Sequence, residues 1–366
     1  MENDWVRLEI DDQTGCISRI FDKKNQVEVL QGQGAVLIVI DETGSDTWAH
    51  GIFSFRNEIG RFELVSTKWI EKGPLRAKLR VTSGYGDSLM QQDFILYRDR
   101  PDIEVKVKLD WREKHKMLKL SFPVNVVNPK STYEIPFGFI ERAVSGTEEH
   151  GHQWIDVSGK GDGLECGPVS DAGEAVHGSL DQDGSHKGLE YGLALLNTAK
   201  YSYDVKDNEM RMTLVRSPIF ADHYGERDDL CEYMDQGVQR FDYSLVPHAG
   251  TWQKAGIVKK ANELNAAPIQ IMETYHKGKS PREFTGVVIT AANIIATAFK
   301  QAEDGNGFIL RCYETDGEAV QCTISMPVPG RKFTADFGRN EIKTFRIPLD
   351  ETCPVEECNL LEMEME

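Results

Sequence analysis

The sequence of 366 residues predicts an all-β protein. Segments in which apolar and polar residues alternate recur from end to end, as expected for strands with one buried face. Turn-forming clusters of Gly, Pro, Asn and Asp separate these segments at regular intervals. Almost no long stretch has helical periodicity. So many antiparallel strands must stack or close to hide their edges, which favours a large sandwich over one open sheet.

The predicted strands follow one another along the whole chain. They are VRLEI, GAVLIVI, RFELVS, LRAKLRV, EVKVKLDW, KMLKLSFPV, MRMTLVRS, QRFDYSLV, GFILRCYE, AVQCTISM and KTFRIPL. Residues 289–302 have some apolar residues at helical spacing, but their β-branched residues and the following EDGNG favour a strand.

The stretch EVKVKLDWREKHKMLKLSFPV, residues 104–124, predicts a hairpin. Its first arm places Val105 and Trp111 on an apolar face. Its second arm resumes the alternation, with Leu118 on the apolar face and Lys119 and Ser121 on the polar face. The charged residues between the arms therefore predict a solvated turn.

Composition excludes several classes of protein. The chain has 42 basic and 59 acidic residues, and a net charge of -17 disfavours nucleic acid as a partner. No apolar run approaches the ~20 residues that span a bilayer, so we expect no membrane insertion. Seven cysteines without a C-x-x-C pair indicate neither a disulfide framework nor a zinc knuckle, and favour a reduced, cytoplasmic location.

Chain length favours two or three domains, and with a boundary near 262–284 we expect two, 1–268 and 269–366. Polar and basic residues near 262–284 have the composition of a linker. Two regions interrupt the strand pattern. Residues 158–189 are rich in Gly, Ser and Asp and predict a surface excursion, while 222–237 could hold one short helix.

Motifs with a chemical mechanism are almost absent. His150 and His152, preceded by two glutamates, are the one clustered set of possible zinc ligands, and a polar loop explains them more simply. Three glycines, Gly159, Gly161 and Gly163, have neither a buried strand before them nor a helix after them to bind phosphate. A Gly-x-Ser-x-Gly elbow is absent, and the acids form no marked glycosidase pair.

Several phrases in a fixed order nevertheless resemble the C-terminal β region of glycoside hydrolase family 38, the retaining zinc-dependent α-mannosidases. These phrases are DWREKHKMLKLSFPV, YEIPFGFIER, QWIDVS, GLALLNTAKYSYDV, MTLVRSP and FDYSLVPHAGTW. The resemblance spans roughly residues 2–362. One departure is Gln239, which stands where the family pattern has a His after Asp235 and Gly237.

The resemblance implies a galactose-mutarotase-like antiparallel supersandwich followed by a smaller β-sandwich. It also implies that zinc, the nucleophilic Asp and most sugar contacts belong to a catalytic N-terminal region that is not in this chain. We therefore expect no catalytic residue, no metal site and no cofactor here, and an inactive chain by itself. The expected partners are that catalytic region and a mannose-containing oligosaccharide, with a homo-oligomer also possible.

Five residues are candidates for substrate or interdomain contacts, and a structural role competes at each. Arg142 and Arg216 could face sugar hydroxyls or a carboxylate across the domain interface, or form ion pairs within their own domain. His248 fits a buried, hydrogen-bonded histidine at least as well as a substrate contact, and Asp156 and Asp235 are similarly open. His115 and Lys116 could instead brace the interdomain contact.

Two other functions remain open. A stand-alone carbohydrate-binding module would use exposed aromatic residues such as Trp48, Trp111 or Trp154 as stacking platforms. A mutarotase-like sugar epimerase would need a His and a carboxylate that converge in a cleft of the sheet.

Overall fold

The computed structural model describes residues 1–160, 189–220 and 232–363. Most of the predicted surface excursion and of the segment predicted to hold a short helix therefore lies outside the described residues, as do Gly161, Gly163, Cys166 and Cys231. The chain forms two compact units, Met1–Glu134 with Ile140–Ala266, and Ile135–Phe139 with Ala267–Glu366. The division into domains at 268/269 stays a prediction, because contacts alone do not test independent folding.

The strands between the N-terminus and residue 249 are, in chain order, β1 (Val6–Ile10), β2 (Ile17–Asp22), β3 (Val27–Glu28), β4 (Val36–Asp41), β5 (Glu58–Arg61), β6 (Glu63–Lys72), β7 (Arg76–Tyr85), β8 (Ser88–Tyr97), β9 (Ile103–Trp111), β10 (Lys116–Pro123), β11 (Val127–Ile135), β12 (Gly138–Arg142), β13 (Ser145–His150), β14 (Trp154–Lys160), β15 (Glu190–Asn197), β16 (Ser202–Lys206), β17 (Glu209–Arg216) and β18 (Gly237–Ala249).

These strands build two large antiparallel sheets and one small sheet. The nine-stranded sheet has the order β12-β11-β14-β15-β18-β9-β8-β7-β6, and the six-stranded sheet has the order β13-β16-β17-β10-β4-β5. Strands β1, β2 and β3 form the three-stranded sheet. Val105 and Leu109 of β9 share one apolar core with Leu118 and Phe122 of β10, so the inner faces of the two large sheets pack together as a sandwich.

The remaining elements are α1 (Ile257–Asn265), β19 (Val288–Ile289), β20 (Ile294–Gln301), β21 (Phe308–Glu314), β22 (Val320–Met326), β23 (Arg331–Phe337), β24 (Ile342–Ile347) and β25 (Glu356–Cys358). Strands β19, β22 and β23 form one sheet, and β20, β21, β24 and β25 form another. Leu310 from one sheet and Ile324 from the other lie in a common core, which makes the second unit a smaller sandwich.

The prediction of an all-β fold with a large and a smaller sandwich is confirmed. Residues 294–301 form a strand, as their composition favours. Helix α1 was not predicted, because its nine residues bury only Ile257, Val258 and Ala261 and give a short periodic signal. Within the described residues, no helix has the length and apolar character needed to cross a membrane.

The prediction of a hairpin over residues 104–124 is wrong, although both strands exist. Strand β9 pairs with β8 and β18, whereas β10 pairs with β4 and β17 in the other large sheet. Residues 112–115 therefore connect two sheets. The alternation of side chains determines which face of a strand is buried, but it does not determine which strand lies beside it.

The polar face assigned to β10 is also buried. Lys119 and Ser121 are both inaccessible to solvent, because this strand is central in its sheet and is covered on both faces. By contrast, β9 has the predicted single buried face, since Val105 and Trp111 are buried while Lys106 is exposed.

Candidate functional site

Ser217, which follows β17, ties together three segments at one end of the six-stranded sheet. Its hydroxyl accepts a hydrogen bond from Trp111 Nε1 at 3.0 Å and donates to the carbonyl of Lys116 at 2.8 Å. Its carbonyl accepts the His115 N–H at 2.8 Å. The connection between β9 and β10 is thereby fastened to the end of β17, which brings the phrases DWREKHK and RSP into contact.

Arg216 lies at the same sheet end and binds the segment that follows β4. Its Nε donates to Glu42 Oε1 at 2.7 Å, and its Nη2 lies 2.6 Å from the same oxygen. Nη2 also contacts Ser45 Oγ at 3.2 Å and the carbonyl of Asp46 at 3.5 Å. The guanidinium carbon is 4.9 Å from the centroid of the Phe55 ring. We call these five residues the Arg216 cluster.

Glu42 of this cluster is a carboxylate whose charged form is disfavoured by burial. The Glu42 side chain is fully buried, and burial raises its pKa although the positive charge of Arg216 opposes the shift. Its Oε2 has no hydrogen-bond partner within the described residues. A cavity of about 210 Å³ opens beside Glu42 and Phe55. It is smaller than the ~300–1,000 Å³ of typical small-molecule sites, so it could hold only part of a larger ligand.

Asp235 joins the cluster from the side. Its Oδ2 accepts the main-chain N–H of Arg216 at 3.0 Å, and its own backbone has a positive φ of 53°. The carbonyl of Asp235 accepts a hydrogen bond from Gln239 Nε2 at 3.2 Å, and Gln239 Oε1 accepts one from Lys200 Nζ at 2.5 Å. The amide at position 239 therefore binds an ammonium group through an atom that does not titrate.

His115, in the connection between β9 and β10, contacts the segment that precedes Asp235. Its Nε2 is 3.1 Å from the hydroxyl of Tyr233, and the two rings meet edge to face at 5.0 Å. The ammonium of Lys114 lies 4.7 Å from the centroid of the Tyr233 ring. His115 thus holds the segment that leads into Asp235, and its expected role in bracing an interdomain contact stays a prediction.

His248 and Asp156 form a second site in the nine-stranded sheet. They lie on β18 and β14, the two neighbours of β15, and Gly192 on β15 lies between them. His248 Nε2 is 2.7 Å from Asp156 Oδ1, and His248 Nδ1 is 3.1 Å from the carbonyl of Gly250. A Cβ atom on Gly192 would lie 2.8 Å from His248 Cε1, so a glycine is required for the imidazole to cross β15.

The environment of this pair favours a protonated imidazole. Burial lowers the pKa of His248, but the Asp156 carboxylate and the Gly250 carbonyl outweigh burial, and the net shift is upward. Both side chains are almost inaccessible, and Asp156 Oδ2 has no hydrogen-bond partner within the described residues. The structure therefore agrees with the interpretation of His248 as a buried, hydrogen-bonded histidine.

Arg142 lies apart from both sites. Its Nε is 3.3 Å from Glu149 Oε2, its Nη1 donates to the carbonyl of His150, and its guanidinium carbon is 4.8 Å from the centroid of the Tyr133 ring. All of these contacts lie within the first unit. Arg142 therefore forms an ion pair with Glu149 of its own unit.

The five sequence candidates are therefore distributed over three places. Arg216 and Asp235 come together, Asp156 and His248 come together, and Arg142 is separate. The prediction of three exposed tryptophans for sugar stacking is wrong for two of them. Trp111 and Trp154 are fully buried, and of the three only Trp48 is exposed. Trp111 packs in the core, and Trp154 packs against Trp252 with the two ring centroids 4.8 Å apart and the ring planes tilted by 37°.

A group of charged side chains that no sequence pattern indicates lies on the outer face of the six-stranded sheet. Lys119 Nζ is hydrogen-bonded to both Glu148 and Asp204, and Asp204 is also bound by Arg56. Glu209 continues the group, with Arg56 Nη1 at 3.4 Å and Arg211 Nη2 at 2.8 Å. We call these residues the Lys119 cluster, which comprises Arg56, Lys119, Glu148, Asp204, Glu209 and Arg211.

The described residues contain no group of three or more His, Cys, Asp or Glu side chains placed to hold a metal ion. In the one clustered candidate of the sequence, Glu148 binds Lys119 and Glu149 pairs with Arg142. The carboxylates of that cluster are therefore used in ion pairs, and these residues do not fit a zinc site.

The fold of this chain is also found in a glycoside hydrolase of known structure. The crystal structure of an alpha-mannosidase from Enterococcus faecalis V583 matches with a TM-score of 0.72 at 14% identity, over 95% of this chain and 42% of that one. A second structure from Enterococcus faecalis, of a protein in glycosyl hydrolase family 38, matches with a TM-score of 0.73. At such identities the likeness establishes the fold alone.

Sequence comparison establishes the family. The chain belongs to glycosyl hydrolases family 38 as a C-terminal region, since the family's C-terminal domain matches residues 1–224 and its C-terminal beta sandwich domain matches residues 293–366. Alpha-mannosidase G of Dictyostelium discoideum is 27% identical over 93% of this chain, and alpha-mannosidase 2C1 of Mus musculus is 27% identical over 68%. The chain spans only 30% and 21% of the length of these two relatives.

Proposed function

We propose that this chain is the non-catalytic β portion of a retaining, zinc-dependent α-mannosidase, and that it supports the catalytic region and lines one side of its cleft. The observation that carries the proposal is the match of both C-terminal domains of family 38 in a chain that spans 30% of alpha-mannosidase G. Zinc and the nucleophilic carboxylate are assigned to the catalytic region, with hydrolysis through a mannosyl-enzyme intermediate.

The Arg216 cluster is the best candidate for the surface that faces the catalytic region. Phe53 and Phe220 flank it, since Phe53 lies two residues before Phe55 and Phe220 follows Ile219, which forms a β-bridge with Asp46. Both phenylalanines are exposed, and exposed aromatic residues beside a partly exposed arginine are typical of protein interfaces. We propose that Arg216 and Asp235 hold this surface in shape, and that mannose-containing oligosaccharide reaches its edge.

In this proposal the Asp156–His248 pair stabilises the fold, and Arg142 does so through its ion pair with Glu149. A sugar epimerase would need a histidine and a carboxylate that reach the sugar, and here both groups are sealed inside the sheet. A stand-alone carbohydrate-binding module loses support because Trp111 and Trp154 are buried.

The location and assembly of the protein are proposed as well. We propose a cytoplasmic location, which the free cysteines Cys16, Cys312, Cys322, Cys353 and Cys358 support. We also propose two domains divided at 268/269, and a homo-oligomer as a possible assembly of the enzyme.

An assay of hydrolysis of p-nitrophenyl α-mannoside with added zinc tests the proposal. This chain and the catalytic region of the enzyme are measured separately and then as a mixture. We expect no turnover by this chain alone and increased turnover when it is added to the catalytic region. Zinc-dependent turnover by this chain alone would overturn the proposal.

Surface variants test where the two parts meet. Phe53→Ser and Phe220→Ser change exposed residues, so we expect folding to be retained. Each should raise the concentration of this chain that half-restores activity by about tenfold or more, the effect expected of an interface hot spot. Leu75 is also exposed but lies on the β6–β7 turn, so Leu75→Ser is the matched control. It should change the half-restoring concentration less than twofold. If all three variants raise the half-restoring concentration equally, the surface formed by the Arg216 cluster, Phe53 and Phe220 (the Arg216 surface) is not where the catalytic region binds.

A further inference from the structure

Residues 267–284 are exposed along their whole length and form neither helix nor strand. The side chains of Ile269, Ile271, Met272 and Tyr275 are 91%, 82%, 99% and 101% exposed. Single exposed apolar side chains are normal in soluble proteins, but four within seven consecutive positions are not. Such a segment is expected to be covered by another surface.

The order of these residues gives one side of an extended chain three of the four apolar side chains. Ile269, Ile271 and Tyr275 point to that side together with Glu273, while Gln270, Met272 and Thr274 point to the other. Within the described residues, the main chain of 267–284 makes no hydrogen bond to the main chain of another segment. The N–H and C=O of Thr274 contact the side chains of Glu273 and His276. The other N–H and C=O groups of the segment are available to pair with a sheet edge, as in peptides that bind by adding a strand.

The second half of the segment is basic. Residues 276–282 read HKGKSPR, with Lys277, Lys279 and Arg282 and without an acidic residue, in a chain whose net charge is -17. Three neighbouring positive charges on an exposed chain are expected to be attracted to an acidic surface. Pro281 also favours an extended conformation for the residue before it.

We propose that residues 267–284 are a docking strap for the catalytic region of the α-mannosidase. Residues 268–275 add as an edge strand to a sheet of that region, with Ile269, Ile271 and Tyr275 in apolar pockets, and Lys277 to Arg282 lie on an acidic rim beside it. The occupant follows from length, because alpha-mannosidase G extends over more than three times the part that this chain spans. The inference rests on the proposed function and adds a contact that is independent of the Arg216 surface.

Hydrogen exchange measured by mass spectrometry tests the strap in the assembled enzyme, in which this chain and the catalytic region are both present. The amides of 269–275, which follow Pro268, should exchange freely in this chain alone and at least tenfold more slowly in the assembled enzyme. The amides of 46–55 report on the Arg216 surface in the same experiment. Protection at 46–55 without protection at 268–275 would overturn the strap alone, and protection at neither place would overturn both proposals.

A pair of variants identifies the contact. Ile271→Asp should abolish the protection of 268–275 in the assembled enzyme, because it places a charge in an apolar pocket. Gln270→Asp adds the same charge one residue away on the opposite side and should leave most of the protection in place. Since both positions are exposed, thermal unfolding of the isolated chain should be unchanged. Equal protection in both variants would contradict the strap.

A third variant tests the basic half. Lys277→Glu with Lys279→Glu should slow assembly at low salt and should reduce the dependence of the assembly rate on salt concentration, because charges at an interface mainly steer encounter. Vesicles of phosphatidylserine and phosphatidylcholine are the competing occupant. Protection of 268–282 by these vesicles, but not by the catalytic region, would overturn the proposal.

Discussion

His248 Nε2 and Asp156 Oδ1 lie 2.7 Å apart across a strand that belongs to neither residue. The intervening residue is Gly192, whose missing side chain leaves the space that the imidazole occupies. One side-chain contact therefore joins β14 to β18 across β15 in the nine-stranded sheet, and we expect this contact to stabilise the sheet.

Gly192→Ala is expected to break this arrangement. The added methyl group would lie 2.8 Å from both His248 Cε1 and Ser158 Cβ. Overpacking of this kind costs ~1–3 kcal/mol of unfolding free energy. Urea denaturation followed by tryptophan fluorescence measures the loss, since Trp154 lies on the neighbouring strand β14 and packs against Trp252. Combining the change with His248→Ala should recover part of the loss, and strict additivity of the two changes would contradict the proposed clash.

Asp156→Asn should give a loss of stability that depends on pH. The pKa of His248 is raised in the folded protein, so the pair stabilises the fold fully below pH ~6.5, and this stabilisation is lost as pH rises through the folded pKa. We expect a loss of ~3 kcal/mol at pH 6, typical of breaking a buried ion pair, and a smaller loss at pH 9. Urea midpoints at pH 6 and pH 9 measure the loss of stability. Asp12→Asn, at an exposed position, is the control. An equal loss at both pH values would show that His248 is not protonated in the fold.

Much of the fold could be predicted because period two is a local signal. The apolar positions of β9 are buried as predicted. The pairing of β9 and β10 could not be predicted, because it depends on strands remote in sequence. The same limit applies to the sites. Asp156 and His248 were both recognised as candidates from family motifs, but their contact joins positions 92 residues apart.

Lys119 shows a different limit. A lysine that alternates with leucines along a strand normally indicates a solvent-exposed face. Its carboxylate partners lie 29 and 85 residues away, so no local pattern reveals that the charge is buried and neutralised. Gln239 illustrates the reverse, since its departure from the family pattern was visible in the sequence, while its contact with Lys200 was not.

Glu134→Gln should stabilise the protein at alkaline pH. Burial raises the pKa of Glu134 from 4.5 to about 7, although the main-chain N–H groups of Gln153 and Trp154 oppose the shift. A carboxyl group with a raised folded pKa favours folding below pH 4.5, and this contribution is lost as pH rises through about 7. The glutamine variant should match the original protein below pH 4 and exceed its unfolding free energy at pH 8 by up to ~3 kcal/mol. The exposed Glu63→Gln is the control, and destabilisation by Glu134→Gln at pH 8 would contradict the expectation.

Lys119→Met should destabilise the first unit strongly. The substitution leaves Glu148 and Asp204 without their shared ammonium group, and removing one partner from a buried ion pair costs ~3–5 kcal/mol. Urea denaturation should therefore show a lower midpoint than for Lys206→Met, a control that removes an exposed lysine from β16 in the same sheet.

A compensated variant separates this electrostatic cause from loss of packing. Replacing Glu148 by Gln and Asp204 by Asn together with Lys119→Met removes the unpaired charges, and apolar or neutral replacements of buried ion pairs are often tolerated. Arg56 keeps Glu209 as a partner in this variant. The triple variant should recover most of the lost stability, and it should be soluble even if Lys119→Met alone is not. If the triple variant is less stable than Lys119→Met, the two carboxylates stabilise the sheet through contacts other than the one with Lys119.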